Sequence, residues 1–155
     1  MCGCGNCGCY STPNCYNDEL RPSWDDVWMK VAYTVSERSY DPRHKVGTVI
    51  VTEDNTQLLS LGYNGNHKGG PNRVESSQPG ESGLIHAEMN ALIKLDYNNP
   101  KKKKMYVTLS PCRQCAKMMI NANIDEVIYG ELYRDRSGLE ILSKQGIKVR
   151  QHSVS

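Results

Sequence analysis

"HAEMNALIKLDYNNPKKKKMYVTLSPCRQCAKMMINANIDEVIYG" (86–130) changes its hydrophobic rhythm three times. In "HAEMNALIKLD" (86–96), Met89, Leu92 and Ile93 recur at helical spacing. "KMYVTLS" (104–110) reads as a strand, and a second helix runs from about Arg113 to Asn121. "EVIYG" (126–130) is a second strand. Helices alternating with short strands require crossover connections, which lay helices over the faces of a sheet.

The same rhythm continues outward. Downstream, a helix near "SGLEILSKQG" (137–146) leads into a strand at "IKVRQ" (147–151). Upstream, "VGTVIVT" (46–52) and "QLLSLGYN" (57–64) are separated only by a turn at "EDN", which predicts an antiparallel hairpin. Between hairpin and helix, residues 65–84 are rich in Gly and Ser, with Pro71 and Pro79. They read as a long loop of the kind that carries function. At the front of the domain, Ser23 caps a helix from Trp24 to about Arg38, with Asp26 in a capping-box-like position. "KKKK" (101–104) reads as a solvated turn before a strand. The chain thus divides into a Cys/Gly-rich N-terminal arm (1–22) and one α/β domain (23–155).

Composition excludes several classes. The 155 residues are 38% hydrophobic and 23% charged, with no Phe, as expected of a soluble globular domain. A net charge of +2 gives no push towards a nucleic-acid polymer. No stretch is long and apolar enough to span a membrane, and no basic-then-apolar leader opens the chain, so a cytoplasmic protein is expected. Seven cysteines without an export signal favour reduced thiols or metal ligands over disulfides.

The chemistry concentrates in "HAEMNA" (86–91) and "SPCRQCA" (110–116). Either half alone is weak; together they make H-x-E followed by P-C-x-x-C, the pattern of zinc-dependent base deaminases. Zinc takes nitrogen and sulfur ligands tetrahedrally, and a catalytic site leaves one position for water. His86, Cys112 and Cys115 supply three ligands, and the two cysteines share one face at a helix start. Glu88, two residues from His86, can reach the activated water without ligating the metal and can carry its proton. The alternatives are a structural zinc site completed by a fourth ligand and a Cys112–Cys115 redox pair, which would leave His-x-Glu unexplained. His44, His67 and His152 lack ligand spacing and read as surface residues.

With "KVGTVI" (45–50), "GYNG" (62–65), "IHAEMNA" (85–91), "MYVTLSPCRQCAK" (105–117) and "IDEVIYGELY" (124–133) in this order, residues 24–150 resemble the cytidine deaminase superfamily, specifically the deoxycytidylate (dCMP) deaminases. The resemblance implies a three-layer α/β/α sandwich around a mixed five-stranded sheet. It implies zinc-dependent hydrolysis of dCMP to dUMP and ammonia, for thymidylate supply. It points to Asn64 as a contact of the deoxyribose and to backbone around Ala87 for the base carbonyl. Arg38 and Ser39 fall beside the nucleotide phosphate, with Tyr129 near the pocket. It also implies a homohexamer activated by dCTP and inhibited by dTTP, with Mg²⁺ on the triphosphate. "GYNGNHKGGPNR" (62–73), through Gly65, Lys68, Gly70 and Arg73, is the matching place for such an effector. Some relatives carry a longer insertion with extra zinc ligands where this chain has "VESSQPGESGL" (74–84), which argues against a second zinc there.

Other readings differ in substrate or class. Deamination of dCTP, cytidine or guanine would use the same centre, and a non-catalytic zinc- or nucleotide-binding module would need no Glu88. The arm's Cys2, Cys4, Cys7, Cys9 and Cys15 carry thiols but no acid or base. They read as a packing arm or as a second, structural metal site.

Overall fold

The computed structural model describes residues 21–154. The cysteines of the N-terminal arm lie outside these residues. The order of elements is α1 (Trp24–Ser36), β1 (Gly47–Thr52), β2 (Leu58–Tyr63), α2 (Ala87–Leu92), β3 (Lys103–Leu109), α3 (Arg113–Asn121), β4 (Glu126–Glu131), α4 (Ser137–Lys144) and β5 (Lys148–Gln151). The strands form one sheet in the order β2-β1-β3-β4-β5. β1 runs antiparallel to both β2 and β3, whereas β3, β4 and β5 are parallel. The hairpin and the crossovers are thus both present, and the sheet is mixed.

Alternation along the central strands sorts their side chains onto two cores. Ile50, Met105, Val107 and Val127 face α2, α3 and α4, meeting Ala91, Cys115, Met119 and Leu142. Val49, Val51, Tyr106 and Ile128 face α1, meeting Met29 and Ala32. One helix covers one face and three cover the other, which gives the three layers. β1 lies centrally and is buried at all six positions. In a chain without Phe, Tyr106 is the largest fully buried side chain. Its hydroxyl donates to Asp25 Oδ1 at 2.6 Å, which satisfies its polar end.

Three local expectations change. α2 stops at Leu92 rather than Asp96, because Lys94 and Leu95 donate to the carbonyls of Ala91 and Leu92, three residues back. The apolar rhythm continues there while the helix tightens into turns. α1 ends at Ser36, and the N–H of Arg38 closes a turn onto Val35. The lysine run is only half a solvated turn. Lys103 and Lys104 begin β3 and are buried. Lys103 Nζ donates to the carbonyls of Asn99 and Lys101 at 2.7 and 2.8 Å, and Lys104 Nζ sits 5.8 Å from the centre of the Tyr106 ring. Among the described residues, no helix is long and apolar enough to cross a membrane.

Candidate active site

Two helix starts converge on one point. His86 is the N-cap of α2 and Cys112 the N-cap of α3; both have extended backbone, φ −63° and −70°. The His86 ring makes no capping bond to its own helix, so it is available elsewhere. Cys112 Sγ accepts the N–H of Cys115 at 3.5 Å, which binds the thiol to the first turn of α3. Buried Pro111 precedes it, and Gly138 in α4 lies against the Pro111 carbonyl. A methyl group at 138 would stand 2.2 Å from that oxygen, so only glycine lets α4 support the cysteine turn this closely.

His86 Nδ1 lies 3.5 Å from Cys112 Sγ and 3.4 Å from Cys115 Sγ, and the three donor atoms are all within 4.8 Å of one another. A tetrahedral zinc with bonds of about 2.0–2.1 Å to nitrogen and about 2.3 Å to sulfur separates N from S by about 3.5 Å. The donors therefore fit zinc in type and spacing, and three protein ligands leave the fourth position open. The thiols are unequal without metal. Hydrogen bonds from Cys115 and His86 hold the Cys112 thiol down to about 4, against opposing burial. The Cys112 neighbour and burial push the Cys115 thiol up. The Cys112 contact also raises His86. Metal binding needs both as thiolates, and this environment favours that form at Cys112.

Glu88 is 4% exposed in the first turn of α2. Burial pushes its carboxyl up to about 7, so near neutral pH both protonation states are accessible to it. Glu88, His86 and Cys112 line one cavity of about 750 Å³, with Asn64 and Ala87 on its wall.

The loop around Asn64 is pinned by its side chain. Asn64 Oδ1 accepts the N–H of Val46 at 2.8 Å, and Nδ2 donates to the His44 carbonyl at 2.8 Å and to Asp41 at 3.3 Å. Asp41 also accepts the N–H groups of Arg43 and His44. The amide is therefore held from three sides. Asp41, Arg43 and His44 line the cavity, as do Tyr133 and Arg134 from the loop after β4. The sequence marks none of the five as a site residue: His44 reads there as a surface residue, and Tyr133 only closes the "IDEVIYGELY" string. They enter the site only because the sheet order brings the end of α1 and the end of β4 beside the two helix starts.

Other expected site residues lie elsewhere. Arg38 is exposed at the end of α1 and does not line the cavity. Ser39 is buried one shell behind it, its Oγ accepting the N–H of Asp41 at 3.2 Å. Tyr129 packs against the core under α2, α3 and α4. Of the effector candidates, Arg73 borders a separate cavity of about 430 Å³ with Pro71, Val74 and Glu75. Lys68 is exposed, and Gly65 bridges to Ile85. Gly70 closes a turn through its N–H to the His67 carbonyl.

Comparison with known proteins agrees with this geometry. Residues 22–131 match the cytidine and deoxycytidylate deaminase zinc-binding region. The chain is 35% identical over 124 residues to the deoxycytidylate deaminase of Homo sapiens, covering 72% of this chain and 67% of that one. It is 33% identical over 148 residues to the deoxycytidylate deaminase of Saccharomyces cerevisiae, covering 88% of this chain but 47% of the yeast protein. The crystal structure of dCMP deaminase from the cyanophage S-TIM5, in complex with dCMP and dUMP, superposes with a TM-score of 0.72 at 28% identity. That match covers 86% of this chain and 99% of the phage chain.

Proposed function

This chain belongs to the cytidine and deoxycytidylate deaminase zinc-binding family and is a hydrolytic deaminase; from that premise we propose that its cavity converts dCMP and water to dUMP and ammonia. One observation carries the reading: His86, Cys112 and Cys115 converge within zinc-ligand distances beside buried Glu88, at the wall of one cavity. Zinc held by these three residues supplies a Lewis acid that brings the pKa of a bound water towards neutrality.

The rest of the chemistry falls to the chain. Glu88 takes a proton from the attacking water and passes it to the ring nitrogen next to the carbon under attack. Glu88 then takes the second proton from the new hydroxyl on that carbon and gives it to the amine, so that the carbonyl forms as the C–N bond breaks and ammonia leaves. A carboxyl raised to about 7 suits this, since it must accept and donate in one turnover. Asn64, already fixed by Val46, His44 and Asp41, meets the sugar as a preorganised acceptor. Ala87 lines the cavity, which supports its backbone as the partner of the base carbonyl.

The same reading extends to thymidylate precursor supply, to activation by dCTP and inhibition by dTTP with Mg²⁺ on the triphosphate, and to a hexamer. Its support in the chain is the segment from Gly65 to Arg73, whose Arg73 borders a cavity apart from the zinc ligands. The deciding experiment is a substrate panel of dCMP, dCTP, deoxycytidine, cytidine and guanine, run with and without dCTP and dTTP. Preferential loss of cytosine absorbance with dCMP is expected. Preference for an unphosphorylated substrate would replace dCMP with that compound, and tight nucleotide binding without turnover of anything would leave a non-catalytic module.

A further inference from the structure

We propose that Asn64–Gly65 is a self-modification site: when its loop loosens, Asn64 converts spontaneously to aspartate or isoaspartate, and the cavity is switched off. The loss of activity rests on the dCMP reading, in which Asn64 meets the sugar; the modification itself does not. Asn64 is the one asparagine of the chain that precedes a glycine. With no Cβ on that next residue, its backbone nitrogen can approach the asparagine side chain closely. The Gly65 nitrogen attacks Asn64 Cγ and forms a C–N bond. The bond from Cγ to Nδ2 breaks, and Nδ2 leaves as ammonia with the proton that Gly65 gives up. Water then opens the cyclic imide at either carbonyl, which yields aspartate or isoaspartate. Water is the only co-reactant.

Imide formation needs a free backbone nitrogen and a carboxamide able to turn onto it, and the fold occupies both. The Gly65 N–H donates to the Ile85 carbonyl at 3.1 Å, and the Ile85 N–H donates back to the Gly65 carbonyl at 2.9 Å. The attacking nitrogen is thus tied into an antiparallel bridge. Asn64 is only 7% exposed. Its Oδ1 is held by the Val46 N–H, and its Nδ2 by the His44 carbonyl and Asp41. Asp41 is the shared anchor, because it also accepts the N–H groups of Arg43 and His44. Losing its carboxylate releases the amide and the turn together.

The product does not fit the same seat. An ionised aspartate has only acceptors, and the groups that face Nδ2 are a carbonyl and a carboxylate. The former donor would meet two acceptors, one of them negatively charged. Deamidation therefore removes the sugar contact and undoes the clamp in one step.

The test ages zinc-loaded, full-length protein at mildly alkaline pH. Peptide mass follows amide-to-acid conversion at Asn64, and dCMP turnover is read on the same samples. In urea, wild type should convert at Asn64 ahead of every other asparagine, and Gly65→Ala should lose that lead. Folded wild type should convert at least about tenfold more slowly than unfolded, as expected where reaction needs a local opening. Folded Asp41→Ala should fall between the two. In folded samples, turnover should decline in step with unmodified Asn64, and Asn64→Asp should have little. Equal rates in folded and unfolded wild type would overturn the proposal, as would conversion led by other asparagines in urea. Full turnover in Asn64→Asp and in converted wild type would instead sink the sugar contact, with the modification still standing. Wild type that turns over no dCMP before ageing would sink the substrate reading alone.

Discussion

At the scale of single residues, the site separates groups that act through chemistry from groups that act through position. In the proposed mechanism Glu88 is the first kind. Glu88→Gln keeps shape and burial but cannot cycle a proton, so dCMP turnover should fall by about 10²- to 10⁴-fold with zinc stoichiometry unchanged. Turnover near wild type in a zinc-loaded variant would remove Glu88 from the mechanism. Asn64 acts through position. Asn64→Ala strands the Val46 N–H and the His44 carbonyl in a part-buried loop, so urea unfolding should show a loss of about 1 kcal/mol. An unchanged midpoint would mean that the loop finds other partners. The zinc donors and Glu88 were legible in the sequence because local spacing presents them: two residues from His86 to Glu88, three from Cys112 to Cys115. Arg134, His44 and Asp41 were not, because they reach the cavity through tertiary placement alone. Arg38, which the resemblance offers for the phosphate, is exposed at the end of α1 and does not line the cavity.

At the scale of elements, the alternation of helix and strand was readable, while lengths and seats were not. α2 is only six residues long, and its place comes from the strand beneath it. A methyl group on Gly62 would stand 2.4 Å from the Ala87 carbonyl and 2.6 Å from the Ala91 N–H. β2 therefore has to carry glycine for α2 to lie this close. Asn90 adds a second tie, its Nδ2 donating to the Tyr63 carbonyl at 2.9 Å. Gly62→Ala should lift α2 and with it His86, at a cost of about 1–3 kcal/mol for overpacking. Zinc should be lost to a competing chelator faster than from wild type. Retention at the wild-type rate would mean that β2 yields and α2 does not. Nothing local marks Gly62 as such a seat, since "GYNG" reads equally well as a strand end running into a turn.

At the scale of the whole molecule, the sheet is closed by an ion pair between residues 125 positions apart, a distance at which no sequence pattern speaks. Asp25, in the first turn of α1, accepts from Arg150 on β5 and from the hydroxyl of Tyr106 on β3. Arg150 also donates to Glu126 at 2.7 Å, and His152 Nε2 lies 2.8 Å from Asp26 Oδ1. One charged cluster thus fastens α1 and the last strand to the middle of the sheet. The hydrogen bond from Arg150, followed by that from Tyr106, holds the Asp25 carboxyl down to about 2 from 3.8, against the opposing effect of burial. A carboxyl depressed in the folded state contributes stability that is complete above its unfolded pKa and disappears as pH falls through its folded one. The Asp25 contribution is therefore present above about pH 4 and is lost between about pH 4 and pH 2. Asp25→Asn should lower the urea midpoint at neutral pH and flatten its fall across that window, because the variant has no proton to take up there. Asp54 and Asp135 are also depressed, but by contacts within their own turns. They supply a slope common to both proteins, so the difference between the two curves isolates Asp25. Arg150→Gln should lose more, since it also gives up the Glu126 contact. The double variant should be less destabilised than the sum of the two single ones, because both substitutions remove the shared Asp25–Arg150 pair. Curves that stay parallel from pH 6 to pH 2 would show that the acid sensitivity of this fold lies outside the cluster joining its first helix to its last strand.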